Sequence, residues 1–122
     1  MNRMRPNPEF WTEFDALIAG SRIVIDRPKG SMHPRYPEIF YPLDYGYLEG
    51  TTSGDGEGID IWIGSESAGK LKAVLVSVDG VQRDCEIKLL LGCTDAETET
   101  VYAFYNNYPN LKAILIFREE KH

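Results

Sequence analysis

The stretch Ser53-Gly54-Asp55-Gly56-Glu57-Gly58-Ile59-Asp60-Ile61-Trp62-Ile63 sets an acidic, glycine-rich loop directly against an apolar strand. Gly50 to Gly58 holds four glycines, so the backbone can turn tightly there, while Ile59 to Ile63 has the β-branched and aromatic content of a strand. Asp55, Glu57 and Asp60 bring three carboxylates within six residues. Hard divalent cations prefer such oxygen ligands, although an acidic turn that is merely solvated fits the same spacing. The pattern lacks the acidic spacing and final glutamate of an EF-hand loop.

Upstream, Ile39 to Leu48 is rich in aromatics, and Lys29 to Pro37 reads as a loop carrying Lys29, His33 and Arg35. Arg22 to Asp26 reads as a strand stopped by Pro28 and Gly30. Phe10, Trp11, Phe14, Leu17 and Ile18 recur at helical spacing, which predicts an amphipathic helix over Pro8 to Ala19, closed by Gly20.

Downstream, Leu71 to Val78 and Cys85 to Leu91 read as a hairpin whose connection is flanked by Asp79 and Asp84. Thr94-Asp95-Ala96-Glu97 has the form of a capping box, and the helix it opens runs toward Pro109. A last strand covers Lys112 to Phe117. This order predicts an α+β, mainly β domain: a small antiparallel OB-like β-barrel with two flanking helices.

At 122 residues the chain fits a single domain, 1–122, and a homo-oligomer would help so small a core. A formal charge of −6 with no basic patch argues against nucleic acid. Cys85 and Cys93 form no CxxC pair and read as buried thiols. Met1 to Ala19 has no apolar run of leader length and no stretch approaches about 18 apolar residues, so no membrane segment and a cytoplasmic location are expected.

Phe40-Tyr41-Pro42-Leu43-Asp44-Tyr45-Gly46-Tyr47, followed by the Asp55 to Asp60 block, closely resembles the soluble inorganic pyrophosphatases. In that family a Tyr-Pro-x-Asn-Tyr-Gly-Tyr segment precedes an Asp-Gly-Asp-Pro-x-Asp signature. The resemblance implies an OB-type barrel and Mg²⁺- or Mn²⁺-dependent hydrolysis of pyrophosphate to orthophosphate by a metal-activated water. It makes Asp55 and Asp60 metal ligands and Glu57 the general base. Asp79 and Asp84 reproduce the spacing of two further metal-binding aspartates, and Asp26 stands where the family has an acidic strand end. Tyr45 and Tyr108 match phosphate-binding tyrosines, although both also fit as core aromatics.

The departures fall at functional positions. Glu57 replaces an aspartate, Gly58 a proline and Asp44 an asparagine. The interval from Asp26 to Tyr45 is shorter than the family's by about one hairpin, which normally carries a lysine, a glutamate and an arginine of the site. Lys29 and Arg35, with His33 beside them, are the nearby candidates for phosphate contact. The family's lysine beyond the last aspartate falls on Glu86 and the one after the helix tyrosine on Pro109, leaving Lys88 and Lys112 as substitutes. These losses keep two alternatives open: hydrolysis of another phosphoanhydride, or a non-catalytic module binding phosphate, nucleotide or a protein partner on the same barrel.

Overall fold

The computed structural model describes residues 7–67 and 69–118. The first six residues, read above for a leader, lie outside that range. Helix α1 (Pro8–Ala19) opens where the Asn7 side chain accepts from the Glu9 N–H at 2.8 Å. Pro8 takes the first helical position, where an N–H has no partner in any case. Strands β1 (Ile23–Arg27), β2 (Asp44–Leu48), β3 (Ile59–Ile63), β4 (Leu71–Asp79) and β5 (Asp84–Leu91) follow, then α2 (Asp95–Asn106) and β6 (Leu111–Phe117). Both halves of the Thr94 and Glu97 capping box form. The helices and strands expected from the sequence are therefore present, with β2 added inside the aromatic stretch.

The mainly β, α+β class holds, but the sheet does not close into the expected OB-like barrel. Its hydrogen-bonded order is β1-β2-β3-β5-β4-β6, with β1 and β6 as the terminal strands. The reason is β6, which takes the outer edge of β4 from Asp79↔Leu111 to Ala73↔Phe117 and so occupies the edge a closing strand would need. All neighbours are antiparallel except β3 and β5, which run parallel.

Consecutive side chains of a strand point to opposite faces. Ile61 with Trp62, Val74 with Leu75, and Leu89 with Leu90 are all buried, so both faces of the central strands are covered. On one face, Trp11, Phe14 and Ile18 of α1 pack with Ile61, Val74 and Leu89. On the other, Val101, Phe104 and Tyr105 of α2 pack with Trp62, Leu75 and Leu90. The Trp62 indole N–H donates to the Tyr105 hydroxyl at 3.1 Å. Asn106 ties the end of α2 to β6, its Oδ1 accepting from Ala113 N at 3.0 Å. No helix among the described residues is long and apolar enough to cross a membrane.

Two positions test this packing. Gly46 lies so close to β1 that a Cβ there would sit 1.8 Å from the Val24 carbonyl oxygen. Gly46→Ala should therefore cost more than about 3 kcal/mol in urea denaturation; an unchanged midpoint would mean that β1 shifts freely. Cys93 is 1% exposed, and burial pushes its thiol up to about 12, whereas Cys85 is exposed rather than buried as the sequence suggested. Iodoacetamide at about pH 8 should label Cys85 and spare Cys93 until the chain unfolds, as read by peptide mass. Equal labelling of both in the native protein would contradict the burial.

Candidate active site

The face of the sheet under α2 is apolar only where the helix covers it. Beyond Trp62 and Leu90 the same alternation brings up Asp60 on β3, Lys88 and Glu86 on β5, and Asp79 at the end of β4. Tyr45 and Tyr47 of β2 share that face, paired with Trp62 and Asp60. These side chains line a cleft of about 930 Å³. Its wall is completed by Asp55 and Glu57 from the glycine-rich loop, Asp26 and Arg27 from β1, His33 and Tyr41 from the loop before β2, and Tyr105 and Tyr108 from the end of α2 and the turn after it.

Local hydrogen bonds shape both acidic turns. Asp55 Oδ1 accepts from Ser53 Oγ at 2.6 Å and from Glu57 N at 2.8 Å, and Gly56 adopts a φ of 87° that suits glycine. The serine hydroxyl first, and the backbone N–H next, lower the pKa of Asp55 and keep it ionised. Asp79 Oδ1 accepts from the N–H groups of Val81 and Gln82, each at 2.9 Å. Both aspartates are thus held by the turns they begin.

Lys88 is the buried cation of the site. Its Nζ donates to Asp60 Oδ2 at 2.7 Å, to the Tyr45 hydroxyl at 2.9 Å and to Glu86 Oε2 at 3.4 Å. Burial alone would push its pKa down, and Tyr105, Tyr45 and the Asp60 carboxylate reverse that shift, so the ammonium stays charged. Burial raises the Tyr45 hydroxyl well above its ordinary value, which keeps it a proton donor. Burial likewise pushes Tyr105 up to about 12. Arg27 donates to the Tyr41 hydroxyl and lies 5.4 Å from that ring's centre. His33 stacks on Tyr41 with ring centres 6.0 Å apart, and burial followed by Arg27 and Arg35 lowers its pKa, so it is neutral at pH 7.

Of the residues singled out from sequence, Asp26, Asp55, Glu57, Asp60, Asp79, Tyr45, Tyr108, His33 and Lys88 line the cleft. Lys29, Arg35, Asp84 and Lys112 stand outside it. The Lys29 N–H donates to Asp44 Oδ1, and Arg35 N donates to His33 Nδ1. Lys112 caps the end of α2, its Nζ donating to the carbonyls of Asn106 and Tyr108 at 2.8 and 2.9 Å.

Arg27 and Glu86 are cleft residues that the sequence reading did not assign to the site. A bulge between Ile25 and Arg27 turns Arg27 onto the cleft face opposite Tyr45. Local pattern carries no signal for that bulge. Lys88 did carry one, since a lysine inside Ile87-Lys88-Leu89-Leu90-Leu91 must find partners when the strand is buried.

Magnesium in phosphoryl sites is held by one or two carboxylates, with waters and substrate oxygens completing the shell. Among the described residues no three His, Cys, Asp or Glu side chains stand together as an enclosing metal group. The described residues therefore form no closed protein cage for a metal ion.

No family model and no curated protein matches this chain. Its fold is similar to that of solved structures. An inorganic pyrophosphatase from Coxiella burnetii is 13% identical, with 80% of this chain and 84% of that one covered and a TM-score of 0.55. An inorganic pyrophosphatase from Helicobacter pylori is 16% identical over 78% and 81% of the two chains, with a TM-score of 0.56. An inorganic phosphatase from Anaplasma phagocytophilum is 14% identical over 78% and 81%, with a TM-score of 0.53. At these identities the likeness establishes a shared fold.

Burial raises the Glu86 carboxyl above its ordinary pKa, against the opposing pull of Lys88. The folded chain then binds this proton more tightly than the unfolded chain. Stability from this group is present at low pH and is lost as pH rises through the folded pKa. Relative to wild type, Glu86→Gln should therefore gain stability between about pH 4 and pH 7 in paired urea titrations. A wild type that gains on the variant over that interval would show that attraction to Lys88 outweighs burial.

Proposed function

We propose that the chain hydrolyses inorganic pyrophosphate, or a closely related phosphoanhydride, to phosphate with Mg²⁺ or Mn²⁺ as cofactor. The observation that carries this reading is the charge of the cleft. Asp26, Glu38, Asp55, Glu57, Asp60, Asp79 and Glu86 line it, against Arg27 and Lys88 as its full cations. Two like charges about 4 Å apart repel by ~4 kcal/mol at an effective dielectric of about 20. A phosphorylated anion enters such a cleft only in the company of divalent cations. The fold shared with pyrophosphatases supports the same reading.

Asp55 and Asp79, with Asp26, are the carboxylates we assign to the cation. A divalent ion held there would supply charge neutralisation at the phosphoryl oxygens and would lower the pKa of a water. Glu57, two residues from Asp55 on the same turn, accepts the proton of the attacking water. Arg27 holds the leaving phosphate, the role the sequence offered to Lys29 and Arg35. Tyr45 accepts from Lys88 through a lone pair, which leaves its own O–H to donate to a phosphate oxygen. Tyr108 donates a second such bond.

The commitment of Asp60 to Lys88 favours a second reading, a phosphate-binding module without turnover. Phosphate release from pyrophosphate with Mg²⁺, Mn²⁺ or chelator separates the two. Release should depend on metal and fall at least about hundredfold in Glu57→Gln, while that variant still binds Mn²⁺. Release that persists in chelator or in Glu57→Gln would remove the assigned mechanism. Pyrophosphate binding with no release in any metal would establish the module instead.

A further inference from the structure

Lys88 is 5% exposed in the middle of an apolar strand. A buried ammonium needs an acceptor for each of its three N–H donors. The three are met by Asp60 at 2.7 Å, Tyr45 at 2.9 Å and Glu86 at 3.4 Å, all of them cleft residues. With its donors used in this way, Lys88 cannot contact a phosphate without giving up a partner.

The placement is fixed by backbone as well as by side chains. The parallel register of β3 and β5 sets Asp60 opposite Lys88, and Glu86 lies two residues along the same strand on the same face. A compact cation surrounded by two carboxylates and a hydroxyl has the donor set that a hard divalent ion would otherwise use.

We propose that the Lys88 ammonium is a resident cation of the cleft, taking the place of one divalent ion between Asp60, Glu86 and Tyr45. Asp60 is thereby withheld from exchangeable metal, which falls to Asp55, Asp79 and Asp26. The inference uses the proposed function only for the requirement that cations neutralise the cleft.

The test counts Mn²⁺ bound to the full chain by electron paramagnetic resonance and calorimetry. Asp60→Asn keeps an oxygen that accepts from Lys88, so it should match wild type in Mn²⁺ number and in Kd within about threefold. Lys88→Met removes the charge at similar length, and it should gain about one Mn²⁺ equivalent that the double variant with Asp60→Asn loses again. Trp62, whose ring lies 4.7 Å from that of Tyr45, reports folding by its fluorescence. If Lys88→Met does not fold, Lys88→Gln replaces it.

Loss of a wild-type Mn²⁺ equivalent in Asp60→Asn overturns the proposal. So does a folded Lys88 variant that gains none. Phosphate release on the same samples separates this result from the proposed function. The expected binding pattern without turnover removes the hydrolase and keeps the resident lysine. Turnover together with Mn²⁺ lost in Asp60→Asn does the reverse.

Discussion

The parallel contact between β3 and β5 places a lysine where only a paired lysine can stand, and the cleft is arranged around that pair. Lys88 and Asp60 face each other across the ladder, with side-chain exposures of 6% and 24%. Breaking a buried pair by removing one partner typically costs about 3–5 kcal/mol, because the other charge is left without compensation. The pair does not act alone. Tyr45 accepts from the same ammonium and its ring meets Trp62, which in turn donates to Tyr105 of α2. A chain of contacts therefore runs from the charged floor of the cleft into the core that seats the helix. The position of α2 and the electrostatics of the cleft depend on one another.

Covering both faces of the sheet makes the cleft possible. α1 and α2 bury opposite faces of β3, β4 and β5, so those strands are apolar along their middles. Where α2 ends, the alternation continues without the helix as cover, and the positions on that face are filled by charge. The tie from Asn106 to Ala113 and the Lys112 cap fix where that cover stops. The border between core and site is thus set by the length of one helix.

Much of the fold could be read from local pattern. Helix spacing in Pro8–Ala19, the capping box at Thr94 and the apolar run Ile59–Ile63 each follow from nearest-neighbour chemistry. Closure could not be read in the same way, because it depends on whether β4 offers its outer edge to β6 or to β1, and both are short apolar strands. The adjacent apolar residues Leu89 and Leu90, both buried, are the pattern of a sheet covered on two faces, a signal that the barrel expectation left unused. The site divides along the same line. Glycines and carboxylates mark Asp55, Glu57 and Asp79, whose turns are local. Arg27 reaches the cleft through a bulge, while Lys29, Arg35 and Lys112 are not among its lining residues; tertiary structure decides all four.

The cleft carboxylates are held by two different means. Asp55 and Asp79 are held by hydroxyl and N–H groups of their own turns, which neutralise no charge. Asp60 is held by a true counter-ion. Hydrogen bonds from neutral donors lower the cost of carrying a charge while leaving its field in place. Asp55 and Asp79 therefore project an uncompensated field into the cleft, whereas that of Asp60 is offset by Lys88. On the proposed reading, a cation entering from solvent would meet the two turns first, and the anion accompanying it would be received by Arg27 and the tyrosine hydroxyls. That separation follows from how each acid is held, and it gives the cleft a direction that a count of its charges would not show.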